Sequence, residues 1–361
     1  MKIIFTVTND LSFDQRMQRI CTSLATAGYE VTLVGRKQKT SRPLEEKPYT
    51  QHRMNLFFQS GKLFYIEYQI RLFFYLLLLP KAIISSVDLD TILPCLLIAK
   101  FKRLPLVFDA HEYFSEVPEV VGRPMVKKIW EWVGSFCIPK ADKCYTVGNE
   151  LANIFRKKYK RDFETIRNVP YRKTFSDKTN TEHPVILYQG MLNQGRGLEE
   201  MIMAMHQIEG AVLWLAGEGD LSEQLRDLVK AEQLEQKVKF LGFIPPRQLP
   251  ELTQKAYIGI NLLENSGLSY YYSLANKAFD YIQAGVPSIQ MDFPEYRNLN
   301  KAYNTFYLLP KLTTEAIVKA IEELVSNDNL YHQLKTNCLR AGKELIWELE
   351  EQKLLDVYKN R

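Results

Sequence analysis

Gly190, Gly195 and Gly197 fall within one short stretch, Leu187-Tyr188-Gln189-Gly190-Met191-Leu192-Asn193-Gln194-Gly195-Arg196-Gly197, between an apolar strand pattern and an amphipathic helix pattern. Glycines at such a junction let backbone amides come close to a ligand, and the helix start that follows favours an anion. Arg196 adds a permanently charged, bidentate donor suited to phosphate. A tight turn needs the same glycines, so on this pattern alone a plain turn stays open. The stretch is not a Walker loop, because no Gly-Lys-Ser/Thr ending is present, and its spacing departs from the dinucleotide fingerprint.

A second stretch runs from Ser273 to Pro287: a serine-capped start, a short helix with Asp280 on its second turn, Gly285 to end it and Pro287 to open a strand. A carboxylate placed there can accept hydrogen bonds from ribose hydroxyls, or it can simply be solvated. The third is Asp109-Ala110-His111-Glu112, at the carboxyl end of a strand pattern. One histidine beside two carboxylates reads as a polar or acid-base centre, with a hydrogen-bonded structural histidine as the alternative. No H-x-x-x-H or H-E-x-x-H spacing occurs, so no metal site is expected.

The elements that must carry these residues alternate between strand and helix. Strands are expected at Ile3–Thr8, Glu30–Gly35, Leu104–Asp109, Cys144–Val147 and Thr165–Asn168, then at Val185–Gln189, Ala211–Ala216, Lys237–Leu241, Ile258–Leu263 and Pro287–Met291. Ser12 and Gln15 stand at capping-box spacing before a helix whose apolar positions are Met17, Ile20, Cys21 and Leu24, with Gly28 to close it. Further helices are expected at Leu198–Ile208 and Ala275–Ala284, and from Thr313 onward only helical patterns remain. The polar segment 170–184 reads as an interdomain linker. Such alternation predicts an α/β protein with two parallel sheets, whose ligands bind beyond the carboxyl ends of the strands, in a cleft between the domains.

Composition agrees with this reading. The 361 residues are 46% hydrophobic and 25% charged, which excludes disorder, collagen-like and coiled-coil classes. Five scattered cysteines without a C-x-x-C pair read as reduced thiols, as in a cytoplasmic protein. Residues 1–170 hold 26 Lys+Arg against 17 Asp+Glu, and the remainder 21 against 25. A basic front half suits an anionic partner, and a phosphate-bearing lipid surface fits better than nucleic acid, because the most apolar window also lies there. That window, Leu63 to Leu79, is flanked by Lys62 and Lys81, interrupted by Glu67 and Arg71 and ended by Pro80. It is too short to span a bilayer. A helix buried on most sides and a helix resting on a membrane face through residues 62–81 both remain open. The opening strand lacks the pattern of a secretory signal.

Taken together, the motifs resemble the retaining family 4 glycosyltransferases of GT-B architecture, over nearly the whole chain. Gly190 to Gly197 matches the spacing of the family's G-R-L-x-x-x-K-G donor loop, and Leu213 to Gly219 resembles its strand ending in G-x-G. Val238 to Phe243 resembles its F-L-G strand, and Asn276 to Pro287 its E-A-x-x-x-G-x-P helix, with the ribose-binding acid at Asp280. The D-x-H-E strand end, the Arg167-Asn168-Val169-Pro170 hinge approach and the closing helix from Trp347 to Tyr358 are also similar.

The resemblance implies two Rossmann-like domains facing each other across a cleft: residues 1–172 binding the acceptor, with helix 344–361 packing back on them, and residues 173–343 binding a nucleotide-sugar. It implies sugar transfer with retention from a UDP- or GDP-sugar to a glycan or lipid-linked acceptor in surface polysaccharide biosynthesis, by a peripheral protein on the inner membrane face, without cofactor or metal. His111 and Arg196 would be the catalytic residues. Gly190, Asn193, Arg196, Gly217, Ser273, Leu274, Ala275, Asn276, Lys277 and Asp280 would bind the donor, and Asn9, Arg16 and Glu112 would lie on the acceptor side. Two positions depart from the family: its loop Arg is Met191 here with Arg196 in place of the Lys, and the first of its paired acids is Tyr272. The same fold serves two alternatives, a nucleotide-sugar epimerase that needs no acceptor and a non-catalytic glycosyltransferase-like subunit.

Overall fold

Short, fully apolar runs in this chain become strands buried on both faces, as parallel sheets covered by helices require. The computed structural model describes residues 1–12, 14–175 and 183–359. It divides into two units: Met1–Asn168 with the segment from Glu350 onward, and Val169–Leu349.

Among the described residues, the first unit contains β1 (Lys2–Thr6), β2 (Glu30–Arg36), β3 (Thr50–Met54), β4 (Ile83–Val87), β5 (Leu106–Ala110), β6 (Lys143–Thr146) and β7 (Glu164–Thr165). All pair in parallel in the order β3-β2-β1-β4-β5-β6-β7. The second unit contains β8 (Val185–Gln189), β9 (Val212–Ala216), β10 (Val238–Gly242), β11 (Ile258–Asn261), β12 (Ser288–Met291) and β13 (Phe306–Leu309), also parallel, in the order β10-β9-β8-β11-β12-β13. Each sheet reverses its winding once, between β1 and β4 and between β8 and β11. The crevice beyond the carboxyl ends of those strands is where doubly wound sheets take ligands.

Three strands escape the sequence pattern. Edge strand β3 is Thr-Gln-His-Arg-Met, without apolar alternation. Central strand β4 carries Ser85 and Ser86, which look polar but are wholly buried. Ser85 Oγ is 2.8 Å from the Tyr358 hydroxyl, and Ser86 Oγ is 2.8 Å from Thr91 Oγ1. The third, β13, is a short edge strand. The strand expected at Thr165–Asn168 shrinks to Glu164–Thr165: Ile166 N still donates to Thr146 O, but Ile166 O accepts from Arg16 and not from a strand.

Helix α1 (Gln15–Thr26) is capped by Asp14, whose carboxylate accepts from Met17 N, and not by Ser12. The Ser12 hydroxyl is engaged by Asp10 and Arg53. Helix α2 (Gly61–Leu78) buries Phe64, Tyr68, Leu72 and Leu76 on one face and exposes apolar residues on the other, so it is neither sunk in the core nor polar outside. Helix α3 (Leu89–Lys102) packs against it. No helix among the described residues is long and apolar enough to cross a membrane.

The expected linker lies partly outside the described residues, at 176–182. The unit boundaries fall at Asn168/Val169 and Leu349/Glu350. The helix Trp347–Lys359 spans the second of these. Its first residue donates from Trp347 N to Pro170 O, and Glu350 accepts from Arg167. Further on, Tyr358 sits buried among Phe5, Ser85 and Tyr145. All five cysteines are buried and unbridged.

Candidate active site

In the second unit, β8 leads straight into Gly190 at the switch point. Gly190 N donates to Ala216 O, and Gly217 N to Gly242 O, so the three strand ends are laced together. Gly217 has φ +145°, and a Cβ there would lie 1.8 Å from Gly190 O. Only glycine permits that approach. Asn193 braces the neighbouring loop, its Oδ1 accepting from Asp220 N.

Two cations gather beyond β8. The Arg196 guanidinium lies over the Tyr270 ring at 4.9 Å, with its Nε buried and without a hydrogen-bond partner. Lys277, on the helix Asn276–Gln283, is buried with Nζ 4.1 Å from the centre of the Tyr188 ring and packs against Gly190. Burial, reinforced by the like charge of Arg196, holds the Lys277 ammonium well below the ordinary lysine range. Two cations drawn together in a desolvated place repel each other, and an anion between them would relieve both.

Asp280, one turn along the same helix, accepts from Gln189 Nε2 at 3.2 Å and Lys173 Nζ at 3.3 Å. Gln189 Oε1 in turn accepts from Thr253. The carboxylate is therefore held at the end of β8. The start of the helix differs from the expectation: Ala275 is its N-cap, and Ser273 Oγ donates back to Tyr270 O instead of capping. Ala275 N donates to the Tyr296 hydroxyl, which also accepts from Asn261, so this amide is spent on positioning the helix. Leu274 is buried, Asn276 is exposed, and the Met191 side chain is exposed.

In the first unit a second polar cluster lies beyond β4 and β5. Asp109 is wholly buried: Oδ1 accepts from Arg16 Nη2 and Oδ2 faces His111 Nε2, each at 2.9 Å. Arg16, expected toward an acceptor, is instead buried, and its guanidinium is committed to Asp109 and Ile166 O. Asn9 is similarly spent on its own turn, accepting from Leu11 N and donating to Asp14. Glu112 is exposed beside His111.

Asp88 escaped the sequence reading because it follows β4, a strand hidden by its serines. It sits at φ +55°, held by its N–H donating to Asp109 O and its carboxylate accepting from His111 N at 2.8 Å. Burial works against a charged His111, but Asp109 and Asp88 outweigh it and raise the imidazole to about 9. Burial tends to raise Asp109, yet Arg16 and His111 keep it below the ordinary carboxylate range. Asp88 is pushed up to about 8, chiefly by burial, with His111 opposing and Glu112 and Asp90 adding. The neighbouring carboxylates, Asp109 above all, thus favour the protonated, hydrogen-bond-donating form of His111.

Two doubly wound parallel sheets, one with a cationic, glycine-turned crevice at its switch point, are the mark of GT-B architecture. Residues 15–170 match the model for Glycosyltransferase Family 4 and residues 172–340 that for Glycosyl transferases group 1, and the chain belongs to this family of glycosyltransferases. It is 25% identical over 183 residues to an uncharacterised glycosyltransferase of Methanocaldococcus jannaschii, a match that spans 49% of this chain and only 45% of that relative. It is 21% identical over 287 residues to alpha-D-kanosaminyltransferase of Streptomyces kanamyceticus, covering 73% of this chain and 72% of the other. Among solved structures, Anabaena HepE in complex with UDP and glucose is similar in fold, with TM-score 0.79, 13% identity and full coverage of both chains.

Proposed function

We propose that the chain moves a sugar from a nucleoside-diphosphate sugar to a hydroxyl of a glycan or lipid-linked acceptor, with retention of configuration. The carrying observation is the pair Arg196 and Lys277 beyond the carboxyl end of β8, each stacked on a tyrosine ring, with the charge of Arg196 adding to burial in suppressing the Lys277 ammonium until an anion arrives. A diphosphate is such an anion, and the complex of HepE with UDP supports UDP as its carrier. Lys277 supplies the second cation that Met191 cannot, and Asp280 takes the ribose hydroxyls.

In the reaction, the bond from the anomeric carbon to the diphosphate oxygen breaks and its electron pair leaves with the diphosphate. Arg196 and Lys277 stabilise that growing negative charge. The acceptor oxygen bonds to the same face of the anomeric carbon and its proton passes to the departing phosphate. His111, favoured in its protonated form, contacts donor sugar or acceptor as a hydrogen-bond donor, with Asp109 and Arg16 holding it. The basic, apolar first unit supports a role in surface polysaccharide assembly at the cytoplasmic face of a membrane.

A panel of UDP-, GDP- and ADP-sugars tests the reading by thermal shift and by donor consumption with and without acceptor. One nucleotide-sugar should raise the melting temperature, and Arg196→Ala should abolish transfer while leaving the fold intact. Unchanged turnover in that variant removes the phosphate role. Isomerisation of the donor without acceptor would instead mark an epimerase.

A further inference from the structure

The first unit holds a cavity of about 400 Å³ at the end of its sheet opposite to His111. It lies where two strands begin: Lys143 opens β6 and Glu164 opens β7, with the buried Cys144 among its walls. The last turn of the helix Asn149–Tyr159 brings Arg156 and the residue after it, Lys160, and the chain continues through Arg161 and Asp162. Four cations thus share one cavity, and none of them forms a salt bridge among the described residues. Arg161 Nη2 donates to Ala141 O at 2.6 Å and to Asp142 O at 3.1 Å. Arg156 donates through Nη1 to Asn153 Oδ1 at 2.9 Å and through Nη2 to Phe163 O. Neutral oxygens therefore hold both guanidinium groups in place and leave their charge uncompensated, so little ordering remains to be done when an anion binds.

Backbone geometry and the nearby acids narrow the ligand. Lys160 stands at φ +54°, a left-handed conformation that side chains rarely adopt, at the corner of the chain beside the cavity. Asp142 is spent on the sheet, its carboxylate accepting from Leu106 N at 2.8 Å. Asp162 and Glu164 are exposed at the cavity and make no salt bridge among the described residues. Phosphate suits the arginines as a bidentate partner, and sugar hydroxyls donate to carboxylates. A long polyanion such as nucleic acid would meet repulsion from those two acids, and the volume is that of a pocket for one small molecule. We propose that this cavity binds a sugar phosphate, its phosphate on Lys143, Arg156, Lys160 and Arg161 and its hydroxyls on Asp162 and Glu164. The site lies in the other unit from the donor crevice, and the proposal does not rest on the donor reading.

Titration calorimetry of the full chain with glucose 1-phosphate, inorganic phosphate and glucose tests it. Glucose 1-phosphate should bind more tightly than inorganic phosphate, and glucose should give no heat. Lys143→Gln and Lys160→Gly should each weaken both phosphates roughly tenfold. Lys160→Gly should not lower the melting temperature, because glycine adopts that backbone conformation freely, so its weaker binding reports the missing ammonium and not a damaged fold. Glu164→Gln should weaken glucose 1-phosphate and spare inorganic phosphate. Arg196→Ala should bind both as the parent chain does. Absence of binding by both phosphates, full binding by both lysine variants, or equal affinity for the two phosphates overturns the proposal. So does loss of binding in Arg196→Ala, which assigns the heat to the donor crevice and leaves the donor reading standing.

Discussion

On the proposed reading donor recognition turns on Lys277, whose suppressed charge has a measurable consequence. A diphosphate arriving beside it restores the ammonium, so donor binding should take up a proton and weaken as pH rises. Calorimetry of UDP binding in two buffers of different ionisation enthalpy reads that proton directly. Lys277→Ala should cost about 100- to 1,000-fold in turnover, with partial recovery in Lys277→Arg. His111 makes the opposite test. Its folded value of about 9 stands above the ordinary 6.5. Its stabilising contribution is therefore complete below pH 6.5 and is lost as pH rises through about 9. Melting temperature should fall across that window, and Asp109→Asn should bring the imidazole titration, followed by NMR of labelled histidine, back down. At this scale the sequence shows the chemistry-bearing residues better than their employment. Asp109 and His111 announce themselves by strand-end position, Arg196 by its glycine-rich loop and Asp280 by its helix turn, whereas Arg16, expected on the acceptor side, is a buried clamp on Asp109.

Elements place these groups through a few hydrogen bonds that can be removed one at a time. Tyr296→Phe leaves the amide of Ala275 without its acceptor and Asn261 Nδ2 with Gln290 alone, at a cost of about 1–3 kcal/mol in urea unfolding. Weaker nucleotide binding should accompany it, because the helix bearing Lys277 and Asp280 loses its anchor. Asp14→Ala should cost about 1 kcal/mol as the lost cap of α1, more than Ser12→Ala, which touches no helix amide. The contrast shows what capping patterns convey: Ser12 and Gln15 satisfy the spacing, but Asp10 and Arg53 hold the serine, and such long-range competition leaves no local trace. Strands β3 and β4 escape for related reasons. One is an edge that needs no apolar alternation, and the other hides two buried serines, of which Ser85 meets a partner as remote as Tyr358. The loss of β4 from the reading took Asp88 with it.

At the scale of the molecule, alternation of short apolar strands with amphipathic helices made the two-sheet α/β class readable, because burial on both faces forces that pattern. Strand order is not a local property, and it is the order that puts Gly190 and Asp88 at switch points. The C-terminal helix is a further long-range feature. Deleting residues from Glu350 onward removes the buried Tyr358 from beneath Phe5, Ser85 and Tyr145. The first unit should then become sensitive to limited proteolysis while fragments of the second remain protected.

The buried thiols carry one last implication. Burial pushes Cys95, Cys144 and Cys338 up to about 12 and Cys137 to about 11, with Cys21 well above its usual value. Nucleophilic thiolate is thus nearly absent at neutral pH. A cysteine introduced at the outward-pointing Leu78 would react with maleimide dyes or nitroxides far faster than any native one. The chain thereby offers single-site labelling without the usual serine replacements.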